Sequence, residues 1–250
     1  MRINATIFSC LIFVSTFGAG CAPSSPEKSP ITDPTPVLRD LEKRQKMSSS
    51  SHLSWKCSDP EGSLRSALHK LGLRSEELKS QQWDASNATI GGYRDIHLCL
   101  FSPRPDAWSF LSLHLRSSLG EPLALQLSLA VTDPVIVFHE FDQDAWGFAV
   151  YQAGKEVASF WNRPDVVELN SKECTIEPKS VAALFGVADA KSLAPYLRHN
   201  PDPGKAFAED EFSLDDHWVR CDFMRRLGMR YCNPGEVGSR HLYVLEKGVN

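Results

Sequence analysis

Between Pro134 and Pro164 three β-rich runs follow one another with almost nothing between them, and no other stretch constrains the fold as much. The runs Val135–Phe141, Ala145–Gln152 and 156–160 are dense in branched and aromatic residues, which suit a pleated, packed surface. They are separated only by Asp142-Gln143-Asp144 and by the turn Ala153-Gly154 with Lys155. Connections that short join antiparallel neighbours, because a parallel crossover needs a dozen residues or more. In the second run Trp146, Phe148 and Val150 point one way, and Ala145, Gly147 and Ala149 point the other. A face of small residues admits a helix at close range. The expected class is α+β: a small, mostly antiparallel sheet with a central hairpin, packed by several helices.

The remaining elements follow from punctuation. Asp59-Pro60-Glu61 reads as a helix start, with Leu64, Leu68 and Leu71 on one face and Gly72 closing it. Residues 95–101 read as a strand before Pro103. In 106–129 the leucines at 111, 113 and 115 alternate like a strand, but length and leucine content assign helices after Asp106 and after Glu121. Beyond Pro164 the expectation is mostly helical. Residues 178–185 end at Gly186, and 189–199 end at Asn200-Pro201. A third helix is capped by Ser213, has Asp215 and Asp216 in its first turn, puts Leu214, Trp218 and Cys221 on one face, and stops at Gly228. Residues 241–245 close the fold as a last strand.

The amino terminus has a different composition. Arg2 precedes an uncharged apolar run, 5–17, and then Gly18-Ala19-Gly20-Cys21. That order is a secretory leader, too short to span a bilayer. Small residues ending at a cysteine resemble the lipobox of bacterial lipoproteins. The resemblance implies loss of residues 1–20 and a diacylglyceryl group on Cys21, hence a protein anchored to the membrane of the cell envelope by lipid. Ala22 after the cysteine, in place of Asp, implies the outer membrane where the source has one. Prolines 23, 26, 30, 34 and 36 and the serines at 48–51 mark an extended tether. The expected organisation is a signal peptide (1–20), a lipidated N-terminus and tether (21–52) and one globular domain (53–250).

Charge narrows the partners. The chain has 27 Lys and Arg against 31 Asp and Glu; without Arg2 the balance is 26 − 31, or −5. No basic stripe is present, so nucleic acid is not expected as a partner. Cysteines 57, 99, 174, 221 and 232 remain after the leader and the lipid site. Their number is odd, and Cys221 with Cys232 is the pair best placed for a disulfide.

The densest set of chemical groups is His139-Glu140-Phe141-Asp142-Gln143-Asp144. Strand alternation would put Glu140 and Asp142 on one side with Asp144 at the bend, and three carboxylates there would suit a hard cation or acid–base work. The alternative is a polar hairpin connection, favoured because the glycine and final glutamate of a calcium loop are missing. His217 and Cys221, one helical turn apart, would make a zinc site with Cys232; CxxC pairs and HExxH are absent, which favours a core cysteine and a surface histidine. No serine-nucleophile, Walker or GxGxxG signature is present, and no cofactor is expected. Trp146, Phe160, Trp161 and Arg163 would make a binding platform for a protein or a sugar where exposed, and core where not. The leading expectation is a binding module of the envelope, taking a protein or a glycan through the hairpin region. Its rivals are an envelope hydrolase using the acids of 139–144 and an immunity-type protective protein.

Overall fold

A computed structural model of the chain describes residues 50–77, 96–101, 107–114, 119–169, 174–231 and 240–245. Cys21, Cys232 and the 1–20 leader lie outside them, as does the 21–52 tether up to residue 49. The class is α+β, as expected. The strands are β1 (Ser50–Lys56), β2 (Arg74–Glu77), β3 (Ile96–Phe101), β4 (Trp108–His114), β5 (Val135–Phe141), β6 (Ala145–Gln152), β7 (Lys155–Trp161) and β8 (Arg240–Leu245). They form one sheet in the order β2-β8-β3-β4-β1-β5-β6-β7, with antiparallel pairing throughout. The hairpin runs of the sequence are its β5-β6-β7 end. The helices are α1 (Pro60–Lys70), α2 (Gly120–Ser128), α3 (Pro178–Phe185) and α4 (Val219–Arg226). Among the described residues no helix is long and apolar enough to cross a membrane.

The sheet is covered on both faces, and this explains where the sequence misleads. On one face Leu53, Trp55, Leu111, Leu113, Val135 and Val137 pack with Leu64 and Leu68 of α1 and Leu123 and Leu127 of α2. On the other, Phe110, Ile136, Phe138, Trp146, Phe148 and Phe160 pack with Val181 of α3 and Phe223 of α4. β4 puts Leu111 and Leu113 on one face and Phe110 on the other, so apolar residues stand side by side at 110 and 111 and interrupt the alternation of the leucines. The helix expected after Asp106 is therefore strand β4, paired between β1 and β3. The helix expected after Glu121 is present as α2.

Three further expectations are corrected. The sheet takes in Ser50–Lys56, so the last residues assigned to the tether are strand. The helix expected over 189–199 is a single 3₁₀ turn, Ala190–Ser192, capped by Asp189. The helix expected from Ser213 begins at Val219: the Ser213 hydroxyl accepts from Gly204 N at 2.6 Å, and Asp216 Oδ1 accepts from Trp218 N at 2.8 Å. Those side chains are spent on turns, which postpones the helix by several residues. At α1 the expectation holds, with Asp59 Oδ1 accepting from Gly62 N at 2.9 Å.

Candidate functional site: an aromatic cleft beside α4

Two adjacent residues at the end of β5 face opposite layers, as strand alternation requires. His139 points to the α2 layer and is buried. Its Nδ1 lies 3.3 Å from Ser51 Oγ. Its Nε2 lies 3.2 Å from Glu121 Oε1, misaligned for a hydrogen bond, so that contact is electrostatic. The imidazole stacks on Trp161 at 5.8 Å and 13°. Gly147 makes the stack possible. His139, Gly147 and Trp161 are cross-strand neighbours on β5, β6 and β7, and a Cβ at position 147 would stand 2.5 Å from the indole. Serine, histidine and carboxylate in sequence resemble a nucleophile relay, but Ser51 is 0% exposed and Trp161 covers the ring. In this conformation the group ties β1, β5, β7 and α2 together and offers no substrate a route to Oγ.

Glu140 points to the α4 layer. Its Oε2 is 2.8 Å from Arg220 Nη2, and its Oε1 is 3.4 Å from His217 Nε2. Arg220 is 1% exposed; its Nη1 donates to His217 O at 3.0 Å. The guanidinium lies over the Trp218 ring at 4.5 Å and 5.9 Å from the centroid of Tyr231. Trp218 meets Tyr231 edge-on at 5.6 Å and stacks with Phe212 at 6.2 Å. His52 of β1 meets Tyr231 edge-on at 5.4 Å.

These aromatics wall a cleft of about 650 Å³ lined by Glu211, Phe212, Trp218, Cys221, Arg225, Met229, Arg230 and Tyr231. The volume falls within the usual range for small-ligand sites. The Asp222 carboxylate, wholly buried, fixes one wall by accepting from Phe212 N at 2.9 Å and Glu211 N at 3.1 Å; Arg225 binds the same carboxylate at 2.6 Å and Glu211 at 3.0 Å. Next to it Asp210 accepts from Tyr196 Oη at 2.7 Å and Phe207 N at 3.1 Å, and Arg226 Nη2 reaches it at 3.0 Å. Burial, followed by the bond to Asp210, raises the Tyr196 pKa. Burial raises the Tyr231 phenol as well. The Cys221 thiol is pushed up to about 11 by burial, so it lines the cleft uncharged.

Of the residues singled out in the sequence, Glu140 meets His217 and His139 meets Trp161, on opposite faces of the sheet. Glu140 turns to Arg220 and His217. Asp142 and Asp144 are exposed in the turn, where Asp142 takes φ of 46° and breaks the alternation that would align it with Glu140. The acids of 139–144 thus form no joint site. Both ring nitrogens of His217 face carboxylates, Nε2 toward Glu140 and Nδ1 toward Asp216 at 3.4 Å. Among the described residues no three His, Cys, Asp or Glu gather to hold a metal. Cys221 carries a free thiol; its expected partner Cys232 lies outside the described residues.

Trp146 and Phe160 are fully buried and Trp161 is 7% exposed, so the aromatic platform expected there is core. Asn162 keeps it so: its Oδ1 accepts from Trp146 N at 2.8 Å, and its N donates to Trp146 O at 3.0 Å. Arg163 is half-buried and pairs with Asp165 at 3.3 Å, which holds the Asp165 carboxyl below its ordinary range. Part-exposed aromatic rings gather instead at Phe212, Trp218 and Tyr231, where they line the cleft. The signal in the sequence is the interleaving of aromatics with arginines from 212 to 231. Comparison with protein-family models, with curated proteins and with solved structures finds no match.

Proposed function

We propose that this chain is a lipid-anchored protein of the bacterial cell envelope whose folded domain binds an envelope glycan in the α4 cleft. The observation that carries the binding assignment is the cleft itself, where part-exposed Phe212, Trp218 and Tyr231 stand beside arginine and glutamate. Rings offer a flat apolar face to the C–H side of a sugar, and charged side chains offer fixed donors and acceptors to its hydroxyls. The location rests on the leader and Cys21, and the tether gives the domain reach from the membrane. The site moves from the hairpin, where the sequence alone put it, to the opposite end of the Glu140–Arg220 contact.

Two measurements test this. Fatty-acid labelling in cells is expected to mark the wild-type chain and to vanish in Cys21→Ala; an unlabelled wild type contradicts the anchor. Co-sedimentation with isolated envelope polymer is expected for the wild-type chain and lost in Trp218→Ala with folding intact; equal sedimentation of the two contradicts the cleft.

A further inference from the structure

We infer that Arg220 sets the charge preference of the cleft, making it a site for an anionic saccharide and a poor one for a cationic ligand. The inference rests on the glycan reading above and adds the chemical class.

Arg220 does not line the cleft. At 1% exposure, 4.5 Å from the Trp218 ring, it stands behind the aromatic wall rather than in front of it. A ring attracts a cation through the negative charge on its face. A guanidinium on the inner face already uses that charge and draws it inward, so the outer face is a weaker partner for a second cation. The aromatic walls are thereby unlike a cage for quaternary ammonium groups. Glu140, the carboxylate that compensates Arg220, is on β5 beneath the wall and does not line the cleft. Asp222, which compensates Arg225, is buried and committed to two backbone amides. The lining itself holds two guanidiniums, Arg225, paired with Glu211 and Asp222, and Arg230. A ligand meets arginine on the rim and a cation-backed ring on the wall, in a chain whose net charge is −4. Arginine's planar fork suits a carboxylate or phosphate oxygen pair. Arg220 is a positioning residue here, acting through Trp218 and Tyr231.

The test compares three β-1,4-linked trisaccharides of the gluco series by titration calorimetry against the full chain: the glucuronate trimer (anionic), cellotriose (neutral) and the glucosamine trimer (cationic). A phosphorylated trisaccharide separates carboxylate from phosphate as the preferred anion. Wild type is expected to bind the anionic trimer about tenfold more tightly than the neutral one, equivalent to about 1.4 kcal/mol, and the cationic one most weakly. Because Arg220→Met alone would strand Glu140, the informative variant is Glu140→Gln/Arg220→Met, which removes both charges together. It is expected to narrow the spread of affinities among the three trimers, the rim arginines keeping the anionic one ahead, while Arg220→Lys, which keeps the charge, preserves the wild-type spread. Arg65→Met removes one positive charge from α1, on the other side of the sheet, and is expected to leave the ranking unchanged. Equal affinities in wild type, or an unaltered spread of affinities in the double variant, would overturn the role of Arg220 and leave glycan binding standing. No binding of any trimer by wild type would overturn the glycan reading and this inference with it.

Discussion

At the scale of single residues, Gly147 has the clearest consequence. Its lack of a side chain lets His139 and Trp161 meet across β6, and any Cβ there would be 2.5 Å from the indole and from Phe160 O. Gly147→Ala is expected to destabilise the domain by about 1–3 kcal/mol, the usual cost of forcing atoms into a packed interior, measured by denaturant unfolding. The sequence identifies Gly147 as one of a small-residue face, but what fills the space is a tryptophan from the neighbouring strand. Glu121 was not legible at all, since nothing near it in sequence marks it as the partner of His139. Glu121 is buried against His139 Nε2, and removing its carboxylate leaves that buried nitrogen without a polar neighbour. Glu121→Ala is expected to cost about 1–3 kcal/mol, and Glu121→Leu/His139→Leu to recover part of that; equal losses in both variants would show the pair is not coupled. Cys221 gives a prediction in pH. The thiolate is the species that alkylates, and with a pKa pushed up to about 11 it is scarce at neutral pH. The alkylation rate at Cys221 is expected to rise about tenfold per pH unit from pH 7 until it levels off near that value. A rate already level by pH 9 would contradict the buried placement.

At the scale of elements, the sequence reveals whatever has a one-sided or punctuated signature. The start of α1 is read correctly because Asp59 and Pro60 act locally, and Asp59→Ala is expected to cost about 1 kcal/mol through loss of the cap. The β5-β6-β7 meander is legible because its turns are too short for any other connection. β4 is not, since Phe110 serves one layer while Leu111 and Leu113 serve the other, and a two-sided strand reads like a helix. The late start of α4 is hidden for another reason. Asp222 lies inside the helix, and its carboxylate reaches back to the amides of Glu211 and Phe212, a tertiary contact that fixes the preceding segment as a loop. Asp222→Ala is expected to leave the amides of Glu211 and Phe212 without their acceptor and Arg225 with Glu211 alone, lowering stability by about 1–3 kcal/mol. It would also weaken glycan binding, because Phe212 loses its place on the cleft wall. Binding unchanged in a destabilised Asp222→Ala protein would show that Phe212 is not part of the site.

At the scale of the molecule, one sheet with two filled faces carries two different polar groups at the same point on β5. His139 fastens the α2 side and is sealed. Glu140 fastens the α4 side and, through Arg220, supports the aromatic wall of an open cleft. The sequence drew attention to this dipeptide because it is the densest knot of titratable groups in the chain. On the proposed reading its role is indirect, because the rings that line the cleft are Trp218, Tyr231 and Phe212, far along the chain and brought there by the packing of α4 on the sheet. Cys221 allows that conclusion to be tested in the unmodified protein, as it lines the cleft, while Cys57, held near Ser63 at 3.5 Å beside α1, does not. The decisive measurement is the alkylation rate of the two cysteines at pH 8.5 with and without isolated envelope polymer, resolved by peptide mass. Selective slowing at Cys221 is the predicted result; equal rates at Cys221 with and without polymer would contradict the assignment of the cleft.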